Sequence, residues 1–459
     1  MKELPVLTSR VPLRNKRVIL RLDWNIPVQG MPSKEDMAKI EASAPTVHYL
    51  QKHGAIVIIL SHLGRPKKKE KEFSTARLLP LAEAYLDHPL MFCGEDIMTA
   101  QGMAMVKDAL SAASPGDLFL MENVRFYSGE EKNDKKLSQA YASLGHYFVN
   151  DAFASSHRAH ASVVGIAEQL PHFAGVNLVE EIKAANHLIE KPKRPFIAVI
   201  GGAKLSTKMP VIQSLLKVAD QILIGGAMAH PFFAAKHIKI GKSLIEKESL
   251  KYAKALIKNK KIILPTDVLV APKLDKSARP HVVPINKIKP NEVIGDIGTT
   301  TMREWSAILK KAQTILWNGP VGVAEIPAFS HGSLVIGRTI AARSRGKAYG
   351  LVGGGDTVPV ALQTGMSEWF DYISMGGGAL LEYIEKHGKL PGIEVLYKTP
   401  QRLQASTKGF KRTKRTTRTK RRITGNRMSK KVVQKTRSKV YKKGSISAKG
   451  GSAFGGKKS

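Results

Sequence analysis

Short apolar runs recur along the chain as far as residue 398, each ending in a polar or glycine-rich cluster. In the first half, runs at 18–22, 55–60, 118–121 and 147–149 predict strands, and 34–53 is long enough for a helix between the first two. These runs exit into Asp23-Trp-Asn-Ile-Pro27, Ser61-His-Leu-Gly-Arg-Pro66, Glu122-Asn-Val-Arg-Phe126 and Asn150-Asp-Ala-Phe-Ala-Ser-Ser-His-Arg-Ala-His160. Strands separated by helix-length segments predict an α/β fold with a parallel sheet, whose strand C-termini gather on one edge. That edge collects Asp23, Asn25, His62, Arg65, Arg125 and Arg158. Any one of them could simply be solvated. Several strands delivering cations and amides to one edge point instead to a small, multiply anionic ligand, because the arginine fork matches carboxylate and phosphate oxygens. His157 and His160 are spaced His-x-x-His with Arg158 between them, which argues against a metal pair.

Residues 178–189 have helical apolar spacing and predict a connecting helix. Beyond it, strands are predicted at 197–200, 221–224, 262–264, 314–316, 350–352 and 372–374. Their exits are rich in glycine: Gly225-Gly-Ala-Met228, Trp317-Asn-Gly-Pro-Val-Gly-Val-Ala-Glu325, Gly353-Gly-Gly-Asp-Thr357 and Gly376-Gly-Gly378. Glycine there either shapes a tight turn or lets backbone approach a nucleotide. Asp356, after a glycine triplet at a helix start, is placed to hold Mg²⁺ beside phosphates or to cap the helix. The stretch from Phe196 to Lys208 runs from a strand through Gly201-Gly202 into a helix starting near Leu205. Lys204 and Lys208, spaced i, i+4, would share a face of that helix at a phosphate.

Composition adds a compartment and a tail. The chain of 459 residues, 43% of them apolar, is long enough for two cores. Its single cysteine, Cys93, excludes an intramolecular disulfide and suits a reducing cytoplasm. No signal-peptide core and no membrane-spanning apolar run is present. Of the net charge of +36, 21 charges fall on residues 399–459, which contain no acid, leaving +15 for residues 1–398. The tail, with Lys411-Arg-Thr-Lys-Arg-Thr-Thr-Arg-Thr-Lys-Arg-Arg422 at its centre, is expected to be disordered. It is either a solubilising segment or an electrostatic attachment to RNA or DNA, with an anionic membrane surface as a further candidate. Phe410, Tyr441 and Phe454 are too few for sequence-specific base stacking.

The motifs quoted above, together with Arg21-Leu-Asp23, His157-Arg-Ala-His-Ala-Ser162, Gly201-Gly-Ala-Lys204, Trp317-Asn-Gly-Pro320 and Leu390-Pro-Gly-Ile-Glu394, occur in the order found in the phosphoglycerate kinase family. Over residues 10–397 the chain resembles that family. The resemblance implies two Rossmann-like parallel-sheet lobes joined by a connecting helix. The N-terminal lobe would span 1–172, completed by 388–398; the connecting helix and hinge 173–192; and the nucleotide lobe 193–387. The implied reaction is phosphoryl transfer between 1,3-bisphosphoglycerate and ADP, giving 3-phosphoglycerate and Mg-ATP in glycolysis or gluconeogenesis, in a cytoplasmic monomer. By resemblance, Asp23, Asn25, His62, Arg65, Arg125 and Arg158 hold phosphoglycerate. Gly225, Gly226, Asn318, Glu325, Gly353, Gly354, Gly355, Asp356 and Thr357 hold the nucleotide, with Asp356 as the magnesium ligand. Lys204 and Lys208 face the phosphates.

Two departures bear on rate. Lys39 stands where the family has an arginine that reaches the transferring group, and Thr207 stands where an acidic residue lies between the two lysines. Ala227, Ala324 and Met375 replace a glycine, a phenylalanine and a threonine, which bears on nucleotide contacts. The leading expectation is an active kinase with an accessory tail. The alternative is a kinase fold of reduced or lost activity that serves as a nucleic-acid- or ribosome-associated module.

Overall fold

The computed structural model of the chain describes residues 3–26 and 34–400. The disorder expected for 401–459 therefore falls outside the described residues. Among the described residues fifteen strands form three sheets. The first contains β1 (Arg17–Arg21), β2 (Ile56–Leu60), β3 (Leu90–Cys93), β4 (Leu118–Met121), β5 (Tyr147–Asn150) and β6 (His172–Ala174), in the order β3-β4-β2-β1-β5-β6. The second contains β7 (Phe196–Ile200), β8 (Gln221–Ile224), β9 (Ile262–Ile263), β13 (Thr314–Asn318), β14 (Tyr349–Gly353) and β15 (Tyr372–Ser374), in the order β15-β14-β13-β7-β8-β9. Every pairing in both sheets is parallel. The central strands β2, β4, β7 and β13 are buried along their whole length. This is what continuous Val/Ile/Leu runs dictate when helices cover both faces of a sheet.

The predicted strands are present: those at 118–121, 221–224 and 372–374 keep their bounds, and the others have ends moved by one or two residues. β3, β6 and a third sheet were not predicted. That sheet is antiparallel, in the order β11-β10-β12, and is built from β10 (Asp267–Ala271), β11 (His281–Pro284) and β12 (Val293–Ile297). The predicted helix over 34–53 is Lys34–Lys52, and the connecting helix is Val176–Ile189.

The connecting helix and the C-terminal turns tie the lobes together. Glu181 on the connecting helix, 1% exposed, accepts hydrogen bonds from the Ser374 hydroxyl at 2.6 Å and the Met375 N–H at 2.9 Å. The start of that helix is held by the Asp151 carboxylate, which accepts the Leu178 N–H at 2.9 Å. The last described turns, Pro391–Glu394 and Val395–Tyr397, return to the first lobe: Asn150 donates to the Gly392 carbonyl at 3.0 Å, and Gly392 N–H donates to Ser156 at 2.8 Å.

Candidate active site

In each large sheet the strand order reverses beside one strand, at β1 between β2 and β5 and at β7 between β8 and β13. Ligands of open α/β sheets bind in the crevice outside the strand ends at such a reversal. In the first lobe a cleft of about 760 Å³ lies there. Its lining includes Asp23, Asn25, His62, Arg65, Arg125 and Arg158, all six residues expected to meet phosphoglycerate, together with Lys39. The opposite wall comes from the second lobe: Gly354, Gly355, Val358, Pro359 and the segment 374–378.

The cations are held by backbone and by one another's partners. Lys39 donates to the Asn25 carbonyl at 2.6 Å, while the Asn25 side-chain oxygen accepts the Gly64 N–H at 2.8 Å. Arg125 donates to the Gly64 carbonyl and lies 3.7 Å from Glu131. Burial, followed by the neighbouring Arg158, lowers its pKa. Arg65 is exposed at the cleft mouth.

Arg21, which sequence reasoning left out of the site, is 1% exposed and organises its floor. Its Nε donates to the Ser162 hydroxyl at 2.9 Å, and a terminal nitrogen donates to His62 Nδ1 at 3.2 Å. An arginine can only donate, so Nδ1 accepts and the His62 proton sits on Nε2. Burial, then the charge of Arg21, depresses His62 well below its ordinary value, so His62 is a neutral donor and its 3.7 Å approach to Asp23 is not an ion pair. His160, on the same wall, is pushed down to about 4 by burial and by Arg21. The compensating acid is Glu130, 1% exposed, which accepts from the Ser162 N–H at 3.0 Å and from its hydroxyl. No short-range sequence signal reveals this layer, because Arg21 and Ser162 lie 141 residues apart.

In the second lobe a smaller cleft of about 290 Å³ is lined by Gly202, Gly226, Pro320, Glu325, Asp356 and the apolar side chains of Phe233, Leu244, Val268 and Val293, among others. Its floor is a glycine junction. Gly201 N–H donates to the Asn318 carbonyl at 2.9 Å, and a Cβ on Gly201 would meet the Pro320 carbonyl at 2.0 Å, so only glycine fits. Gly225, Asn318, Gly353 and Thr357 are buried and line neither cleft. They back the site: Asn318 donates to the Gly353 carbonyl at 2.7 Å, and the Thr357 hydroxyl accepts the Gly319 N–H at 2.6 Å. Asp356 precedes the helix Thr357–Gln363 without a side-chain capping bond, which leaves its carboxylate to the cleft. Ala227 lines this cleft and Met375 the other, and Ala324 packs against the second lobe's core.

The two lysines do not share a helical face. Lys204 is the N-cap of the helix Leu205–Val218, with φ −119° and ψ 111°, and its side chain is exposed. Lys208, one turn in, folds back onto the glycine junction. It donates to the Gly201 carbonyl at 2.7 Å and to the Asn318 side-chain oxygen at 2.7 Å. Burial pushes its ammonium down to about 8 against the opposing pull of Asp356. Because the backbone at the cap is extended rather than helical, i, i+4 spacing does not place Lys204 on the face of Lys208.

With this geometry in hand, the relatives decide the family. A family model described as phosphoglycerate kinase matches residues 8–387. The chain belongs to the phosphoglycerate kinase family. The phosphoglycerate kinase of Thermus thermophilus is 43% identical over 388 residues, covering 83% of this chain and 97% of the relative. That of Moorella thermoacetica is 42% identical over 390 residues, covering 84% of this chain and 97% of its own length. Among solved structures, the phosphoglycerate kinase of Coxiella burnetii superposes with a TM-score of 0.73 at 38% identity, covering 86% of this chain and 99% of that one. The enzyme of Pyrococcus horikoshii does so at 0.74 and 27% identity, covering 88% and 100%. The matches cover the two lobes, so the chain is a kinase-type transferase with phosphoglycerate kinase function.

Proposed function

We propose that the chain moves a phosphoryl group from the acyl phosphate of 1,3-bisphosphoglycerate to ADP, with a carboxyl group as acceptor in the reverse direction. The observation that carries this reading is the cleft facing both lobes, with the six predicted phosphoglycerate-binding side chains and Lys39 on one wall and the Gly354–Gly355 turn on the other. Asp23, Asn25, His62, Arg65, Arg125 and Arg158 bind 3-phosphoglycerate. The nucleotide lies along Gly202, Gly226 and Glu325, in a cleft shaped from behind by Gly225, Asn318, Gly353 and Thr357. Lys39, Lys204 and Lys208 meet the phosphoryl oxygens.

Charge on a group in transfer spreads over its equatorial oxygens, so catalysis needs cations and N–H donors already in place rather than a covalent nucleophile. His62 fits this need as a neutral donor through Nε2–H. Mg²⁺ fits Asp356, whose carboxylate is free of capping bonds at the nucleotide cleft. Among the described residues no group of three or more His, Cys, Asp or Glu is placed to hold a metal ion; an ion at Asp356 would take its remaining ligands from nucleotide phosphates and water. When bound, the ion neutralises phosphate charge. Closing the lobes excludes water, which would otherwise compete as acceptor.

Binding measurements separate the two halves of the site. Arg65→Ala is expected to weaken 3-phosphoglycerate and leave Mg-ADP unchanged, and Glu325→Ala is expected to do the reverse. Variants that weaken both ligands equally contradict the assignment.

Cys93 is buried, with its thiol pushed up to about 11 by burial and so held protonated and unreactive; the single cysteine of the sequence supports a cytoplasmic location. The tail supports a second function beside catalysis. Its 21 cations and absence of acids favour non-specific attachment to RNA or DNA. Among the described residues no helix is long and apolar enough to cross a membrane.

A further inference from the structure

The helix Leu205–Val218 begins at Lys204 and carries Lys208 in its second turn, but nothing in its own sequence completes its N-terminus. Lys204 makes no side-chain cap, and the first turn contains no acid. Thr207, where the family pattern has an acidic residue, spends its hydroxyl on the Lys204 carbonyl at 3.0 Å. A helix start leaves N–H groups unpaired and a positive dipole end, both of which favour a carboxylate.

Glu246 brings that carboxylate from 40 residues away. One oxygen accepts the Ser206 N–H at 3.0 Å and the Ser249 hydroxyl, and the other accepts the Ser206 hydroxyl. The Ser206 and Ser249 hydrogen bonds, aided by attraction to Lys204, push its carboxyl down to about 2, so it is ionised at neutral pH. The loop that delivers it also forms a wall of the nucleotide cleft. Leu244 lines that cleft, and its carbonyl accepts from His230 Nδ1 at 2.7 Å. The Glu246 clamp thus ties a wall of the nucleotide cleft to the start of the helix that carries Lys208 and has Lys204 at its cap.

We infer that Glu246 is a positioning residue for phosphoryl transfer, its carboxylate standing in for the acid absent at Thr207 and fixing the helix start so that Lys204 and Lys208 meet the nucleotide phosphates. The inference rests on the phosphate-binding reading of those two lysines. If the reading is right, Lys208→Ala abolishes most turnover whatever Glu246 does. Retained turnover in Lys208→Ala overturns the reading itself, and is thereby distinguished from failure of the Glu246 inference alone.

The test is a four-corner comparison of kcat and KM for ATP in the parent, Glu246→Gln, Thr207→Asp and the double variant, with thermal melts on each. Glu246→Gln is expected to lower kcat by roughly 10- to 100-fold, the scale of loss for misplaced reacting groups, with a smaller change in KM. Thr207→Asp is expected to give no gain in the parent, where a second carboxylate would crowd Glu246, and to restore most of the lost kcat in the Glu246→Gln background. A merely structural role moves the melts and does not produce this background-dependent rescue of kcat. Parental kcat in Glu246→Gln overturns the inference, as does a loss that Thr207→Asp fails to relieve. If Glu246→Gln alone does not fold, the double variant decides: folded and active supports the inference, while folded and slow, or unfolded, overturns it.

Discussion

The depressed ammonium of Lys208 makes a prediction that separates free from liganded enzyme. Burial lowers this group from 10.5 to about 8, a penalty on the charged form of about 3 kcal/mol. A phosphate charge arriving about 4 Å away contributes about 4 kcal/mol at the effective dielectric of a partly exposed site, enough to cancel the penalty. Free enzyme therefore loses the Lys208 cation as pH rises through about 8, whereas the ternary complex keeps it. Because kcat/KM reports the free enzyme and kcat the bound complex, kcat/KM for ATP should fall above pH 8, with kcat falling about two pH units higher. The assay is ATP consumption with 3-phosphoglycerate as acceptor, coupled to removal of the acyl phosphate, from pH 6.5 to 10. Lys208→Arg should carry the kcat/KM limb out of range, since a guanidinium does not deprotonate there. A limb that persists unchanged in Lys208→Arg, or a kcat/KM that stays level to pH 10, refutes the reasoning.

Other outcomes follow from the same structure. Lys39 commits one N–H to the Asn25 carbonyl at 2.6 Å and lacks a planar fork. Lys39→Arg should raise kcat by roughly tenfold, one charge-assisted hydrogen bond's worth of transition-state binding, and an unchanged kcat defeats the idea. Asp151 is buried, and that burial raises its carboxyl to about 7. The folded state then holds a proton that the unfolded state has lost between pH 4 and 7, so Asp151 costs progressively more stability as pH rises through that window. Denaturant melts should show Asp151→Asn gaining on the parent from pH 4 to 7 and level above it; a pH-independent difference contradicts this. Deleting residues 399–459 should abolish salt-sensitive binding to single-stranded RNA and leave kcat unchanged, and binding that survives the deletion refutes the tail's role.

The parts of this molecule legible in its sequence are those encoded locally. Continuous apolar runs such as Phe196–Ile200 and Leu118–Met121 are buried throughout, so run and strand coincide. Polar exits such as Ser61-His-Leu-Gly-Arg-Pro66 inherit their place from strand direction alone. What escaped is set by distant partners or by weak periodicity. His281–Pro284 is exposed at three of its four positions and Leu90–Cys93 is buried only at its ends, so neither shows a strand's apolar signature. Arg21 looks like an interruption in an apolar strand until Ser162 and Glu130 are brought to it by the fold. The i, i+4 spacing of Lys204 and Lys208 misled because spacing implies a shared face only where both residues are helical, and Lys204 is not.

The central claim is that the cations of one lobe and the nucleotide cleft of the other form a single phosphoryl-transfer site that works despite Lys39 and Thr207. The most direct measurement is the initial rate of ATP formation by the full-length chain from 1,3-bisphosphoglycerate and Mg-ADP. The account predicts saturable turnover of roughly 1–1000 per second, dependent on both ligands. Folded protein that binds both ligands yet forms ATP no faster than the ligands mixed alone contradicts it.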